Sequence, residues 1–189
     1  ANHLSTANFH NVLFRFKKLP KLFNFKIADL QIINNNINVK NSDLTLGDSD
    51  FKFNGNISNL ILYLINKKKL IAISGELKST YIKFDELFNI NDSVKIKRTI
   101  EMPSWIQTNI KTDIKAFSYN GFTASNISSQ IEYENEIITA KNTLLNSLNG
   151  EIIANLKFYK SKDSYKLFSQ ANLKQLNIRN AFLAFDNFK

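Results

Sequence analysis

From Ile106 to Ala116 the chain alternates without a break. Ile106, Thr108, Ile110, Thr112, Ile114 and Ala116 share one face, and Gln107, Asn109, Lys111, Asp113 and Lys115 share the other. Successive side chains of a strand point to opposite faces, so a period of two predicts a strand with one apolar side. The run is longer than the usual five or six residues. Similar runs follow: Ile127, Ile131 and Tyr133 against Gln130, Glu132 and Glu134; Ile152, Ala154, Leu156 and Phe158 against Asn155 and Lys157. After a turn at 160–164 come Tyr165, Leu167, Ala171 and Leu173. Shorter alternations precede them at Phe25 and Ile27, Ile37 and Val39, Leu44 and Leu46, and Phe51 and Phe53. Asn34-Asn35-Asn36 and Asp48-Ser49-Asp50 separate these as turn signals. Along 71–84 the apolar positions change from odd (Ile71, Ile73, Leu77) to even (Ile82, Phe84), which predicts a bulge near Ser79 to Tyr81.

Four segments break the period of two. Phe9, Val12, Leu13 and Phe16 are spaced i, i+3, i+4, i+7, the pattern of a helix face, and Pro20 stops the element. Ser58 is placed to cap a short helix with Leu60, Ile61, Leu64 and Ile65, and Asp85 to cap another with Leu87 and Phe88. The chain closes on a helix pattern with Ile178, Ala181, Phe182 and Phe185 on one side. Together these readings divide the chain into an amino-terminal helical segment (1–24), a first β module with short helices (25–95) and a second β module ending in an amphipathic helix (96–189). Met102-Pro103-Ser104-Trp105 leads into the best strand, with Pro103 fixing the entry and Trp105 expected at a rim.

Composition removes most chemistry. There is no cysteine, and the two histidines, His3 and His10, lie close to the amino end, so no metal centre is expected. No phosphate-binding glycine loop, zinc-protease motif or nucleophile elbow occurs. Asp85-Glu86 is explained by capping, and Glu132, Glu134 and Glu136 by a solvated strand face. The expectation is a protein that is not an enzyme and carries no cofactor. Five glycines and two prolines argue against a chain of tight two-residue hairpins. The net charge of +9 attracts anions, whether nucleic acid or lipid head groups. It also follows from a composition rich in Lys, Asn and Ile. The lysines are scattered among acids, as at Lys111, Asp113 and Lys115, and the phenylalanines sit at apolar positions; nucleic acid is therefore not the expected partner. No run approaches the roughly 20 apolar residues that span a bilayer. The chain starts at Ala1, and is expected to be part of a longer protein whose anchor lies outside it.

Two blocks echo each other. Phe53-Asn54-Gly55-Asn56-Ile57 is matched by Leu148-Asn149-Gly150-Glu151-Ile152, and Ile82 to Phe88 by Leu176 to Phe182, at offsets of 95 and 94 residues. The fold class expected is mainly β: an elongated, curved antiparallel sheet built from repeated modules, with a few short helices. Its apolar side must be covered. The sheet can close on itself, helices can lie across it, or it can curl into a groove that holds an acyl chain. Candidates for a groove lining are Phe51, Phe53, Ile106, Ile110, Ile114, Ile127, Ile131, Ile152, Leu156, Phe158 and Leu167, with Ile178, Ala181, Phe182 and Phe185 as a helix at the groove end. The same residues would serve equally in a dry core.

Gly55-Asn56-Ile57-Ser58-Asn59-Leu60 through Tyr63-Leu64, Ile73-Ser74-Gly75-Glu76-Leu77-Lys78-Ser79 and Phe84-Asp85-Glu86-Leu87 resemble the carboxyl-terminal region of AsmA-like proteins, in particular those of Bacteroidota. So does the ending, Leu176-Asn177-Ile178 through Ala181-Phe182 and Ala184 to Phe188. The likeness spans most of the chain after about residue 25 and lies in structural junctions, not in a catalytic signature. It implies repeating β-groove modules with an apolar interior. It further implies a periplasmic location behind an inner-membrane anchor outside this chain, a phospholipid or other acyl-chain ligand, and a part in phospholipid transport or outer-membrane assembly.

Overall fold

The computed structural model describes residues 4–14, 22–66, 70–88, 103–162, 164–177 and 179–180. Among these described residues ten strands follow one another in a single open sheet, in chain order. They are β1 (Leu4–Phe14), β2 (Phe23–Ile33), β3 (Asn36–Leu46), β4 (Ser49–Ser58), β5 (Ile71–Lys83), β6 (Ile106–Tyr119), β7 (Phe122–Glu134), β8 (Ile137–Ser147), β9 (Gly150–Ser161) and β10 (Ser164–Lys174). Two short helices among the described residues accompany them, α1 (Leu60–Ile65) and α2 (Phe84–Phe88). Every neighbouring pair is antiparallel except β5 and β6, which run parallel with Ile71 opposite Ile106 and Ser79 opposite Ile114. β1 and β10 are the two edges. The fold is thus the mainly β sheet, with few helices, that the alternation predicts.

Four expectations need correction. The amino end is not helical: residues 4–14 form β1, paired with β2 from Leu4 opposite Ile33 to Phe14 opposite Phe23. Its helix-like spacing has a local cause. Asn11 has a positive φ of 54°, and the inward residues on either side of it are Phe9, opposite Ala28, and Val12, opposite Phe25. A slip in strand parity therefore produces the i, i+3 interval.

Tight two-residue connections are also common, against the reading from scarce glycine. Asn120-Gly121, Asn135-Glu136 and Leu148-Asn149 each join two strands with both residues at positive φ, the geometry of a primed hairpin turn. Asparagine tolerates that region better than other side chains. It supplies eight of the twelve non-glycine residues at positive φ among the described residues, so abundant asparagine replaces scarce glycine.

Ser58 does not cap α1. Asn59 stands at that position with φ 63°, and its side-chain amide donates to the Leu70 carbonyl at 3.1 Å. Asp85 lies in the first turn of α2, and its carboxylate accepts from the Asn120 N–H at 3.1 Å, tying α2 to the β6–β7 turn.

The fourth correction concerns the repeat. Gly55 is central in β4, whereas Gly150 opens β9, so the first pair of blocks, at an offset of 95, is not equivalent. The strands show a different match, β2-β3-β4 with β7-β8-β9 at an offset of 101 residues. It aligns the turns at Asn34 and Asn135, then Lys40-Asn41-Ser42 with Lys141-Asn142-Thr143, Leu44 with Leu145, and Asn54 with Asn155. The connection through α1 is longer than the β9–β10 turn, so the offset falls to 94 after it. Phe53 pairs with Leu77, and the equivalent Ala154 pairs with Ala171.

Both repeats carry the same irregularity. The β3–β4 register shifts between Val39 and Asp43, and the β8–β9 register between Ala140 and Thr143. Bulges of this kind bend a strand and increase its twist. The hydroxyl at the bulge serves the interrupted ladder. Ser42 Oγ accepts from the Phe53 N–H at 3.0 Å and donates to the Phe53 carbonyl at 2.9 Å. In the second repeat the Thr143 and Ser129 hydroxyls meet at 2.8 Å. Ser42→Ala removes both bonds at a buried position, and is expected to cost about 1–2 kcal/mol, read from the shift in urea midpoint. An unchanged midpoint would show that the bulge closes without the hydroxyl.

The parity change foreseen at Ser79 to Tyr81 is present in β5. Ser79 and Ile82 are both buried, while Thr80 is exposed. Asp50 binds the two successive amides there, the Thr80 N–H at 2.9 Å and the Tyr81 N–H at 2.8 Å. Partial burial pushes this carboxyl up, but the Thr80 and Tyr81 amides pull it further down, to a net value below the ordinary one. A depressed folded pKa means stability that is present above the unfolded value of about 3.9 and lost as pH falls through the folded value. Asp50→Ala is therefore expected to lower stability by about 1–2 kcal/mol at neutral pH. The gap in urea midpoint between it and the unaltered protein should narrow in acid; a gap independent of pH would rule out the ionised carboxylate as the cause.

Candidate functional site

Residues opposite one another in paired strands share a face of the sheet. Ile110 lies opposite Ile131, Ile131 opposite Ala140, and Ala140 opposite Leu156, which makes one row across β6 to β9. Two residues towards α1, Thr108, Tyr133, Ile138, Phe158 and Leu167 make the next row. In the other direction Phe53 meets Leu77, and Leu77 meets Thr112. Ile114 faces Ile127, while Phe51 faces Leu44 and Ile152 faces Leu145. Ile106 opens the face beside Ile71. All eleven strand residues proposed for a groove lining therefore lie on one face. The four proposed for the groove-end helix, Ile178, Ala181, Phe182 and Phe185, lie outside the described residues.

Their burial is incomplete. Only Ile114 is buried, at 8% exposure, and Leu167 is 65% exposed; the other nine are half-buried. In a closed sandwich, inward Ile and Phe side chains at the centre of long strands are normally fully enclosed. The residues that are enclosed here are mostly others on the same face: Val39, Leu46, Ile71, Ile82, Tyr133 and Ala154 among them. Ile37, Val39, Leu46, Ile71, Ile82 and Tyr133 were already legible as inward-pointing in the alternation. Which of them would be most enclosed depends on sheet curvature, which single strands do not report.

A second feature lies across the middle of this face and was not expected. Thr112, Ser129 and Thr143 form a buried band of hydroxyls, and Ser42 is buried further along the face, beyond Phe53 and Leu77. Thr112 Oγ1 donates to the Ser129 carbonyl at 3.2 Å, and Ser129 Oγ reaches the Lys141 carbonyl at 3.4 Å. These groups satisfy one another and the bulged backbone, so the band is polar in composition but offers few free bonds. The only hint in the sequence is that Ser42 and Thr143 follow Asn in the repeated Lys-Asn-Ser/Thr triplet.

The opposite face is charged, and some of its charges are paired. Lys141 meets Glu132 at 2.6 Å, Lys174 meets Glu151 at 2.7 Å and Lys115 meets Asp113 at 3.3 Å. At the α2 end, Lys83 bridges Asp48 and Glu86, both at 3.0 Å, and these hydrogen bonds raise its pKa. At the α1 end, Trp105 stacks on Tyr63 at 4.9 Å and is partly exposed. The Pro103 carbonyl accepts from the Tyr133 hydroxyl at 2.8 Å. A shallow hollow of about 600 Å³ lies at the β8–β9 turn, walled largely by Thr123, Ser125, Asn146 and Asn149, away from the centre of the apolar face. Among the described residues no group of His, Asp or Glu is arranged to hold a metal ion, and no helix is long and apolar enough to cross a membrane. Comparison with protein-family models, curated proteins and solved structures gives no significant match to this chain.

Proposed function

We propose that this chain is a non-enzymatic lipid-binding module of an AsmA-like envelope protein, sheltering acyl chains on the apolar face of its sheet. The observation that carries the reading is the half-buried state of nine of the eleven strand residues on that face of an unclosed sheet. An acyl chain laid along it removes apolar area from water on both partners, at about 25 cal/mol per Å². Head groups stay in water at the rim, where the protein's net positive charge suits anionic phospholipid. The process is passive: affinity scales with the length of chain covered, and no bond is made or broken. The likeness to AsmA-like proteins adds the setting of periplasm, phospholipid transport or outer-membrane assembly, with membrane attachment supplied from outside this chain.

The test is to purify the chain, extract it with organic solvent and identify bound lipid by mass spectrometry. Stoichiometric phospholipid is expected. A stable protein free of lipid would instead favour a structural envelope domain that carries nothing.

A further inference from the structure

The two repeats meet at the parallel join of β5 and β6, and the edges of the sheet are copies of the strands that make it. β10 is equivalent to β5 at an offset of 94, since each follows the equivalent strands β4 and β9 through matching pairs, Phe53 with Leu77 and Ala154 with Ala171. β1 is equivalent to β6. Ala28 pairs with Phe9, and its counterpart Ser129 pairs with Thr112, which sets an offset of 103. β10 thus presents outward the edge that β5 gives to β6, and β1 presents the edge that β6 gives to β5.

We propose that β10 of one copy of this chain pairs in parallel with β1 of a second copy, repeating the internal join head to tail. The register follows from the β5–β6 pairs. Ile73 opposite Thr108, Gly75 opposite Ile110 and Leu77 opposite Thr112 become Leu167 opposite Ser5, Ser169 opposite Ala7 and Ala171 opposite Phe9. This contact is independent of whether the face holds lipid.

The edges fit this use. Natural edge strands are usually short, or interrupted by proline or inward charge, to prevent pairing. β1 and β10 are eleven residues each and contain no proline. Both leave large apolar side chains exposed, among them Leu4, Phe9 and Leu13 on β1 and Leu167, Phe168 and Leu173 on β10. β1 carries no lysine or arginine, so Lys166 and Lys174 of β10 meet no like charge along it. The contact uses different surfaces on the two copies. It leaves a free β1 edge at one end and a free β10 edge at the other, and so extends to longer chains instead of stopping at a dimer.

Absence of cysteine makes the test clean. Chains carrying Ser169→Cys and Ala7→Cys are mixed with oxidised glutathione, which takes up the two electrons as the thiols join. Paired strands lie roughly 5 Å apart, within the Cα separation a disulfide allows. A linked dimer is expected from the mixture and not from either chain alone. Leu167→Cys with Ser5→Cys tests the same register at independent positions, should one variant fold poorly by circular dichroism. Leu173→Cys with Ser5→Cys is out of register by six residues, roughly 20 Å, and is expected to stay unlinked. Self-linked Ser169→Cys chains would place β10 against β10 and overturn the proposal. So would a mixture that stays unlinked at both in-register pairs while light scattering of the unaltered chain reads monomer at every concentration.

Discussion

Ile110→Asp is expected to yield a folded chain stripped of phospholipid, with bound lipid falling at least tenfold by mass spectrometry. Ile110 sits at the centre of the apolar face, between Gly75 on β5 and Ile131 on β7, and is half-buried. A carboxylate there keeps access to water, so the sheet can tolerate it. An acyl chain crossing the same point would have to desolvate that charge without a partner, which costs several kcal/mol. Ile114→Asp should behave differently. Ile114 is only 8% exposed, so the charge is enclosed by the protein itself. Against a total stability of about 5–15 kcal/mol, that penalty is enough to unfold the domain. The pair of variants therefore separates lipid contact from folding. If Ile110→Asp retained native circular dichroism and its full complement of lipid, the acyl chain would not lie on this face.

The contrast also shows which part of the site the sequence carries. Alternation identifies the face: Ile110 and Ile114 stand on the same side of β6 and are indistinguishable by period or type. What separates them is how far the neighbouring strands enclose each, 8% exposure at Ile114 against half-burial at Ile110, and that depends on cross-strand register. The clearest case is β1, whose apolar residues slip by one at Asn11 and so imitate a helix. The parity change in β5 was legible because two apolar runs of opposite parity flank it. The bulge in β3 is flanked by a like change, Ile37 and Val39 odd and Leu44 and Leu46 even, but the polar Lys40-Asn41-Ser42-Asp43 between them makes the two runs read as separate alternations. The repeat was misaligned for a related reason. Asn-Gly occurs in mid-strand at Gly55 and in a hairpin at Gly150, and only pairing tells the two uses apart.

Gly55→Val is expected to destabilise the chain by about 3 kcal/mol or more, because it forces overpacking where two backbones approach closely. Gly55 lies directly opposite Gly75, and this pair brings β4 and β5 together without side chains between them. A Cβ on Gly55 would stand 2.1 Å from the Ser74 carbonyl oxygen, 2.7 Å from the Phe53 ring and 2.8 Å from the Gly75 Cα. The ring could rotate away, but the carbonyl and the Cα belong to β5 and cannot move without disturbing its pairing with β6. The damage would therefore reach the parallel join between the repeats. The equivalent places in the second repeat are held by Leu156 and Ser169, so the fold does not demand glycine at this row in general. The demand is local, made by the close approach of β4 and β5 at the Gly55–Gly75 pair, over which the Phe53 ring also packs. Replacing Phe53 by Ala alongside Gly55→Val should therefore relieve the ring clash but leave the two backbone clashes. Urea denaturation of the single and double variants reads this directly: most of the loss should persist in the double variant. Full recovery would mean that the ring, and not the β4–β5 approach, sets the requirement for glycine.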